Sequence, residues 1–398
     1  MREGGDAAGD VCDTDGELYL MNHNNRTAEA TDLRKIGINR DFWYPIASSR
    51  DLRAGKVIGT NFAGDPIALA RTATGAIFAL EDRCAHRQMP LHMGVISGEQ
   101  LQCCYHGWCY EKTGRLARIP YLAEGGKIPP EARGVRSYPC REAYGLIFVF
   151  PGAPELADEI PLPELPEWSS PDYRAMYFSR TVDCHYTFMH ENLMDMNHQF
   201  LHRRLMGGIQ PVMLDYRYGG NWVEADYRFQ GGKQHLGADF LVMGGGNGAS
   251  GVERDYELMT IRTEYPHQHL KVWRAHSDVV AIRLFAAYVP IDADQRRNRS
   301  FGILMVRKPK VPGLLLAAWP VIRYFAESVF TEDRIAVEAE QRAWDAQRRD
   351  LNREISPVLL ELRKVLAACG EPSNADAERA PTGALSAVRS LRDAGAAR

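Results

Sequence analysis

Two cysteines and two histidines crowd into one short stretch, CAHRQMPLHMGVISGEQLQCCYHGW: Cys84 and His86, then sixteen residues, then Cys103 and His106. Two thiolates and two imidazoles of this kind are metal ligands, and they can meet only if two loops fold back on each other tip to tip. The spacing C-x-H-x16-C-x2-H serves a zinc ion or an iron–sulfur cluster equally well, so both remain open on spacing alone. Cys104 competes with Cys103 for the third position, but only Cys103 keeps two residues before His106.

The surroundings are β in character. Short runs (KVIGTNFAG, PIALARTA, AIFALEDR, LIFVFPG) alternate with Gly-containing turns and predict an all-β module over 37–152. The segment PGAPELADEIPLPELPEW, with five Pro in eighteen residues, predicts a stiff linker, assigned to 153–172. Beyond it, over 173–369, a strand (MYFSRTVDC), a helical stretch (YTFMHENLMDMNHQFLHRRL), further strands (LKVWRAH, VVAIRLFAAYV, SFGILMV) and a final helix from about Thr331 to Arg349 predict an α+β domain of helices on an antiparallel sheet. Residues 1–36 and 370–398 are polar and aperiodic, which predicts poorly ordered arms. The Gly run at 243–251 lacks the strand–turn–helix setting of a phosphate cradle and is expected to be a flexible loop.

Within the helical stretch, Glu191, Asp195, His198 and His202 fall at i, i+4, i+7 and i+11, one stripe of a continuous helix. Two His a turn apart plus one carboxylate from elsewhere make a two-His-one-carboxylate facial triad, which leaves positions on Fe(II) open. Asp195, a turn before His198, is placed to accept the second N–H of a ligating imidazole. His185 and His190 lack the matching neighbours and are expected to be structural or to support the ligands.

Composition removes other classes. With 45% apolar residues and a formal charge of −3, the chain has cores to fill and no basic surface for nucleic acid. Eight Cys without regular spacing, five of them (Cys12, Cys109, Cys140, Cys184 and Cys369) expected as unliganded thiols, suit a reducing cytoplasm, and the N-terminus lacks the pattern of a secretory signal. The longest apolar run, at 311–322, contains Pro320 and falls short of the roughly 20 residues that span a bilayer, so no transmembrane segment is expected.

The two constellations together resemble the Rieske non-haem iron ring-hydroxylating oxygenases over about residues 40–350. The second loop of that family commonly reads C-P-Y-H-G-W, and here Cys104 takes the Pro position. The run from Asn192 through Asp195 and His198 to His202 is similar to the family pattern N-x2-D-x2-H-x4-H, with three residues rather than four between the His pair. The resemblance implies a Rieske [2Fe–2S] cluster with Cys84 and Cys103 on one iron and His86 and His106 on the other. It implies a mononuclear Fe(II) on His198, His202 and Asp333, with Glu332 as the competing carboxylate. It further implies an N-terminal β Rieske domain followed by a helix-grip catalytic domain, in an α-only homotrimer, with Asp195 bridging to His86 or His106 of a neighbouring subunit. The expected activity is hydroxylation or oxidative demethylation of a bulky apolar substrate by O2, with electrons from NAD(P)H through a reductase or ferredoxin. A cis-dihydroxylating dioxygenase is the alternative within enzymes, and a Rieske electron carrier without oxygen chemistry is the alternative outside them.

Overall fold

The computed structural model describes residues 32–122, 127–230 and 256–372. Most of the two expected arms, including Cys12, and the Gly run at 243–251 lie outside the described residues. The first part of the chain builds three small antiparallel sheets. Strand Asp65–Arg71 shows why they hold together: Ile67 and Leu69 point into one core with Trp43, Phe148 and Phe150, while Ala68 and Ala70 point into a second with Cys84, Cys103 and Trp108. Period-two alternation thus lets one strand serve two cores. The third sheet, ordered Val95–Ser97, Gln100–Gln102, Cys109–Tyr110, Leu116–Arg118, carries the cysteine–histidine loops.

The second part is a seven-stranded antiparallel sheet in the order Tyr173–Val182, Asn298–Arg307, Val280–Pro290, His267–Trp273, Leu258–Glu264, Trp222–Gln230, Gln210–Tyr218. Phe285, Ala287, Phe301 and Ile303 share one face and join the core of the N-terminal module. The opposite face receives helices α1 (Tyr186–Met194), α3 (Leu314–Gln347) and α4 (Pro357–Cys369); a short α2 (Arg203–Met206) follows α1. The Pro-rich segment is clamped across the first face: Arg283 donates to the Glu167 carboxylate and the Glu164 carbonyl, both at 2.8 Å. This is an α+β architecture of an all-β module followed by a helix-covered sheet.

Four local expectations change. The stripe from Glu191 to His202 is not one helix, because α1 ends at Asp195, whose backbone is extended (φ −83°, ψ 92°) and whose side chain caps a 3-10 turn over Met196–Phe200. The final helix begins at Leu314 rather than about Thr331 and runs 34 residues through Pro320. Pro320 and Leu316, whose carbonyl loses its partner to the proline ring, both lie on the exposed side, where an unpaired carbonyl costs least. That helix is long and apolar enough, by length and composition only, to cross a membrane, with 17% of its most apolar window buried. Leu33, assigned to the N-terminal arm, is fully buried beside Met194 and α4, and Ile36–Gly37 pairs with Glu371–Pro372 of the assigned tail.

Candidate metal centres

Both loops of the first site are tight turns locked by their own backbone. Gln88 donates to the Cys84 carbonyl and Cys84 to that of Met89, each at 2.8 Å; Cys103 donates to the Trp108 carbonyl at 2.8 Å and Gly107 to that of Cys103 at 3.1 Å. Gly107 has φ +70°, and a Cβ there would meet Pro120 at 2.8 Å, so this position needs glycine. Cys84 and Cys103 are buried together, while the His86 and His106 rings meet edge to face with centroids 4.6 Å apart and 72° between their planes. Trp108 stacks on His86 at 4.7 Å, with 7° between the planes.

This donor set fits a [2Fe–2S] cluster. Burial, and then the neighbouring Cys84, push the Cys103 thiol up, while backbone N–H groups of Tyr105 and His106 aimed at its sulfur pull the other way. Sulfur atoms held so are costly to ionise alone and favourable once a cation sits between them. His86 Nδ1 is buried without a hydrogen-bond partner, which leaves its lone pair for a metal. Cys104 points outward, exposed, and Cys109 is buried beside the Gly107 carbonyl.

One supporting residue has no signature in the sequence. Tyr110, 26 positions from Cys84, brings its hydroxyl to 3.1 Å from the Cys84 sulfur. The same oxygen accepts from Ala85 N–H at 3.1 Å, so its own proton is left to donate to sulfur. A donor on a ligating sulfur stabilises the extra negative charge of the reduced cluster. Tyr110→Phe is expected to keep the cluster and lower its midpoint potential in a redox titration of the visible absorption; an unchanged potential would show that the bond does not tune the centre.

The second site forms where the break after α1 meets the middle of α3. One ligand atom from each of His198, His202 and Asp333 lies within 4.8 Å of the others. Asp333 Oδ1 is 3.7 Å from His198 Nε2 and 3.1 Å from His202 Nε2, yet His202 Nε2 and Asp333 Oδ1 are buried without a hydrogen bond. Burial alone would lower the His202 pKa; the Asp333 and Glu332 carboxylates overcome it and hold the ring's pKa above the ordinary histidine value. A divalent cation would supply that positive charge at the shared point, and the triad therefore fits a mononuclear iron.

The outer partners differ from expectation. His198 Nδ1 bonds the backbone carbonyl of Asp195, not its carboxylate, which instead accepts from the Asn197 N–H at 2.9 Å. Glu332, the rival carboxylate, binds His202 Nδ1 at 2.7 Å and so faces the far side of the ring from Asp333. Asn192 stays on the last turn of α1, outside the hydrogen bonds that orient the two imidazoles. His185 is buried and bonded to Thr187; His190 is buried against Tyr288 with its pKa lowered to about 3 by burial. Removing a partner behind a ligating imidazole typically costs 10–100-fold in metal affinity. Glu332→Ala is therefore expected to weaken Fe(II) binding by about that factor, with partial recovery in Glu332→Gln, in a titration of the mononuclear site. Complete loss of iron in Glu332→Gln would instead make Glu332 the ligand.

Residues 42–139 match the family model of the Rieske [2Fe-2S] domain, and residues 182–371 match the vanillate O-demethylase oxygenase C-terminal domain. The chain is 31% identical over 341 residues to a 4beta-methylsterol monooxygenase of Methylococcus capsulatus, covering 81% of this chain and 87% of that one. It is 36% identical over 165 residues to the oxygenase component of dicamba O-demethylase of Stenotrophomonas maltophilia, covering 41% of this chain and 48% of the relative. A crystal structure of dicamba monooxygenase bound to dicamba shares the fold, with a TM-score of 0.63 at 23% identity over 90% of this chain and 99% of that one.

Proposed function

The chain belongs to the Rieske non-haem iron oxygenases, and from that premise we propose that it hydroxylates or oxidatively demethylates a bulky, mainly apolar substrate. The net reaction is R–H + O2 + NAD(P)H + H+ → R–OH + NAD(P)+ + H2O, with a ferredoxin or flavoprotein reductase carrying the electrons. When bound, the cluster supplies electrons singly and the mononuclear iron supplies the centre at which O2 is reduced. The observation that carries the reading is His198, His202 and Asp333 meeting at one point, beside a sheet face whose central strands are apolar and whose arginines, Arg174 and Arg180 of the edge strand, are taken up by Trp319 and Glu327.

That face is identified by strand alternation. Gln268 donates to the His190 carbonyl on α1, and on its side of the sheet follow Leu270, Val272, Ile282, Leu284 and Leu304, paired across neighbouring strands. Leu270, Ile282, Leu284 and Leu304 are only half-buried, an apolar wall suited to a hydrocarbon skeleton. Arg283, Lys271 and Arg262 lie on the opposite face and cannot serve the substrate. Tyr288, on the iron side, donates to Gln268 Oε1 at 2.9 Å and fixes the end of this wall. One relative is named for a methylsterol and another for O-demethylation of dicamba, which supports methyl groups on apolar frameworks as the class.

The test supplies 18O2, NADH and a reductase with methylated sterols and methoxyarenes. One labelled oxygen atom in the alcohol or in released formaldehyde supports the reading. Two labelled atoms in one product would favour the dioxygenase. Reduction and reoxidation of a fully iron-loaded chain without substrate-dependent O2 uptake would favour the electron carrier.

The site assignment extends to assembly. Among the described residues, no hydrogen bond links His86 or His106 to Asp195 within the chain, and the Asp195 carboxylate is held by Asn197 alone. A homotrimer in which Asp195 meets a cluster histidine of the next subunit supplies the missing route. Asp195→Asn is then expected to keep its iron and its trimeric mass while losing most product in single turnovers from a pre-reduced cluster; full yield would return Asp195 to its capping role. A cytoplasmic setting suits the exposed Cys104 thiol.

A further inference from the structure

The first three turns of α3 present two opposite apolar faces, and only one has a partner. Leu315, Ala318 and Ile322 pack on Val306, Ile282 and Leu304 of the sheet. The other side is solvent-facing: Leu316 is 63% exposed, Val321 54%, Tyr324 72%, and Val311 just before the helix 61%. Ala317 and Pro320 complete this strip without a charge. A free apolar stripe of this size beside a filled one signals an interface.

Charge identifies what covers it. Lys308, Lys310 and Arg323 flank the strip in sequence, all exposed; Lys308 donates to the Pro171 carbonyl at 2.6 Å, and none of the three has a carboxylate partner among the described residues. The first acid on the helix, Glu327, is neutralised by Arg180 at 2.7 Å. A two-fold contact with a second copy would set these cations against each other. An anionic lipid surface provides phosphates for them and an acyl boundary for the strip, the arrangement of an interfacial amphipathic helix. Tyr324 adds the amphipathic aromatic ring favoured at that depth.

The apolar part of the helix is too short to cross a bilayer. Between Leu314 and Glu327 there are about 13 residues, or about 20 Å of helix, against a hydrocarbon core of about 30 Å. Its second half cannot follow, because Val337 and Gln341 are buried in the protein and Asp333 belongs to the metal triad. We propose that Val311, Leu316, Val321 and Tyr324 enter the headgroup boundary of an anionic membrane while Lys308, Lys310 and Arg323 bind its phosphates.

Flotation of the full-length, iron-loaded chain with vesicles of phosphatidylcholine, with and without phosphatidylglycerol, tests this independently of substrate and turnover. Expected is binding to the anionic vesicles that weakens with salt, and at least about a tenfold loss of binding in both Leu316→Glu/Val321→Glu and Lys308→Glu/Lys310→Glu. Cluster absorption and oligomeric mass stay as in the parent. A parent chain that remains unbound on anionic vesicles, or a Leu316→Glu/Val321→Glu variant that binds like the parent, overturns the proposal. A lower oligomeric mass in Leu316→Glu/Val321→Glu also overturns it and makes the strip a contact between copies.

Discussion

His198→Ala or His202→Ala is expected to lower iron from about three to about two atoms per chain and to abolish product formation, while the visible and EPR signature of the cluster persists. The separation follows from the geometry. The cluster ligands sit in loops of the third small sheet, whereas the triad joins the turn after α1 to the middle of α3. No residue is shared. His202 is the more damaging of the two, since it is fully buried between Asp333 and Glu332 and its removal leaves two carboxylates facing a cavity. Folding to the parent melting temperature with only the mononuclear iron missing is the checkable outcome; undiminished product from either variant would remove this site from the account.

Replacing Cys84 or Cys103 with Ser is expected to remove the cluster altogether, and with it the visible absorption. The loss reaches stability as well, because cluster binding holds two loops whose buried cysteines, at 2% exposure each, sit in the same core as Trp108, Leu91 and Leu101. Cys104→Pro is expected to retain the cluster, since Cys104 faces solvent and its neighbour carries the backbone bonds of the turn. Retention in Cys103→Ser together with loss in Cys104→Pro would reverse the assignment. Iron content and absorption of the two variants, measured side by side, decide it.

Candidate ligands close together in sequence were legible from the sequence. Cys84 with His86, Cys103 with His106 and His198 with His202 each sit within one turn of chain, where local backbone geometry alone brings side chains to a common side. The all-β character of the first module and the antiparallel strands of the second follow equally from alternation, a local property. Asp333 was identified by resemblance rather than by chemistry, and 130 residues separate its neighbour Glu332 from His202. Only the packing of α3 against the turn after α1 puts Asp333 on one side of the His202 ring and Glu332 on the other.

The same limit explains the errors. A helical period drawn through Asp195 cannot detect that its carbonyl is taken by the His198 ring and its carboxylate by the Asn197 N–H, a pair of bonds that stops the helix. The reading of a final helix from about Thr331 missed its first half, where Pro320 is tolerated because it lies on the exposed side of the helix. Strands Gln210–Tyr218 and Trp222–Gln230 and helix α4 escaped because each buries only the side set by its neighbours, with charges on the rest. Sequence therefore determined which cysteines and histidines fall in candidate ligand pairs, since short spacings act through the chain itself. The tertiary structure alone decided that Asp333 rather than Glu332 joins His198 and His202 at one point, and which apolar face is left uncovered, because both depend on elements that meet only after the chain has folded.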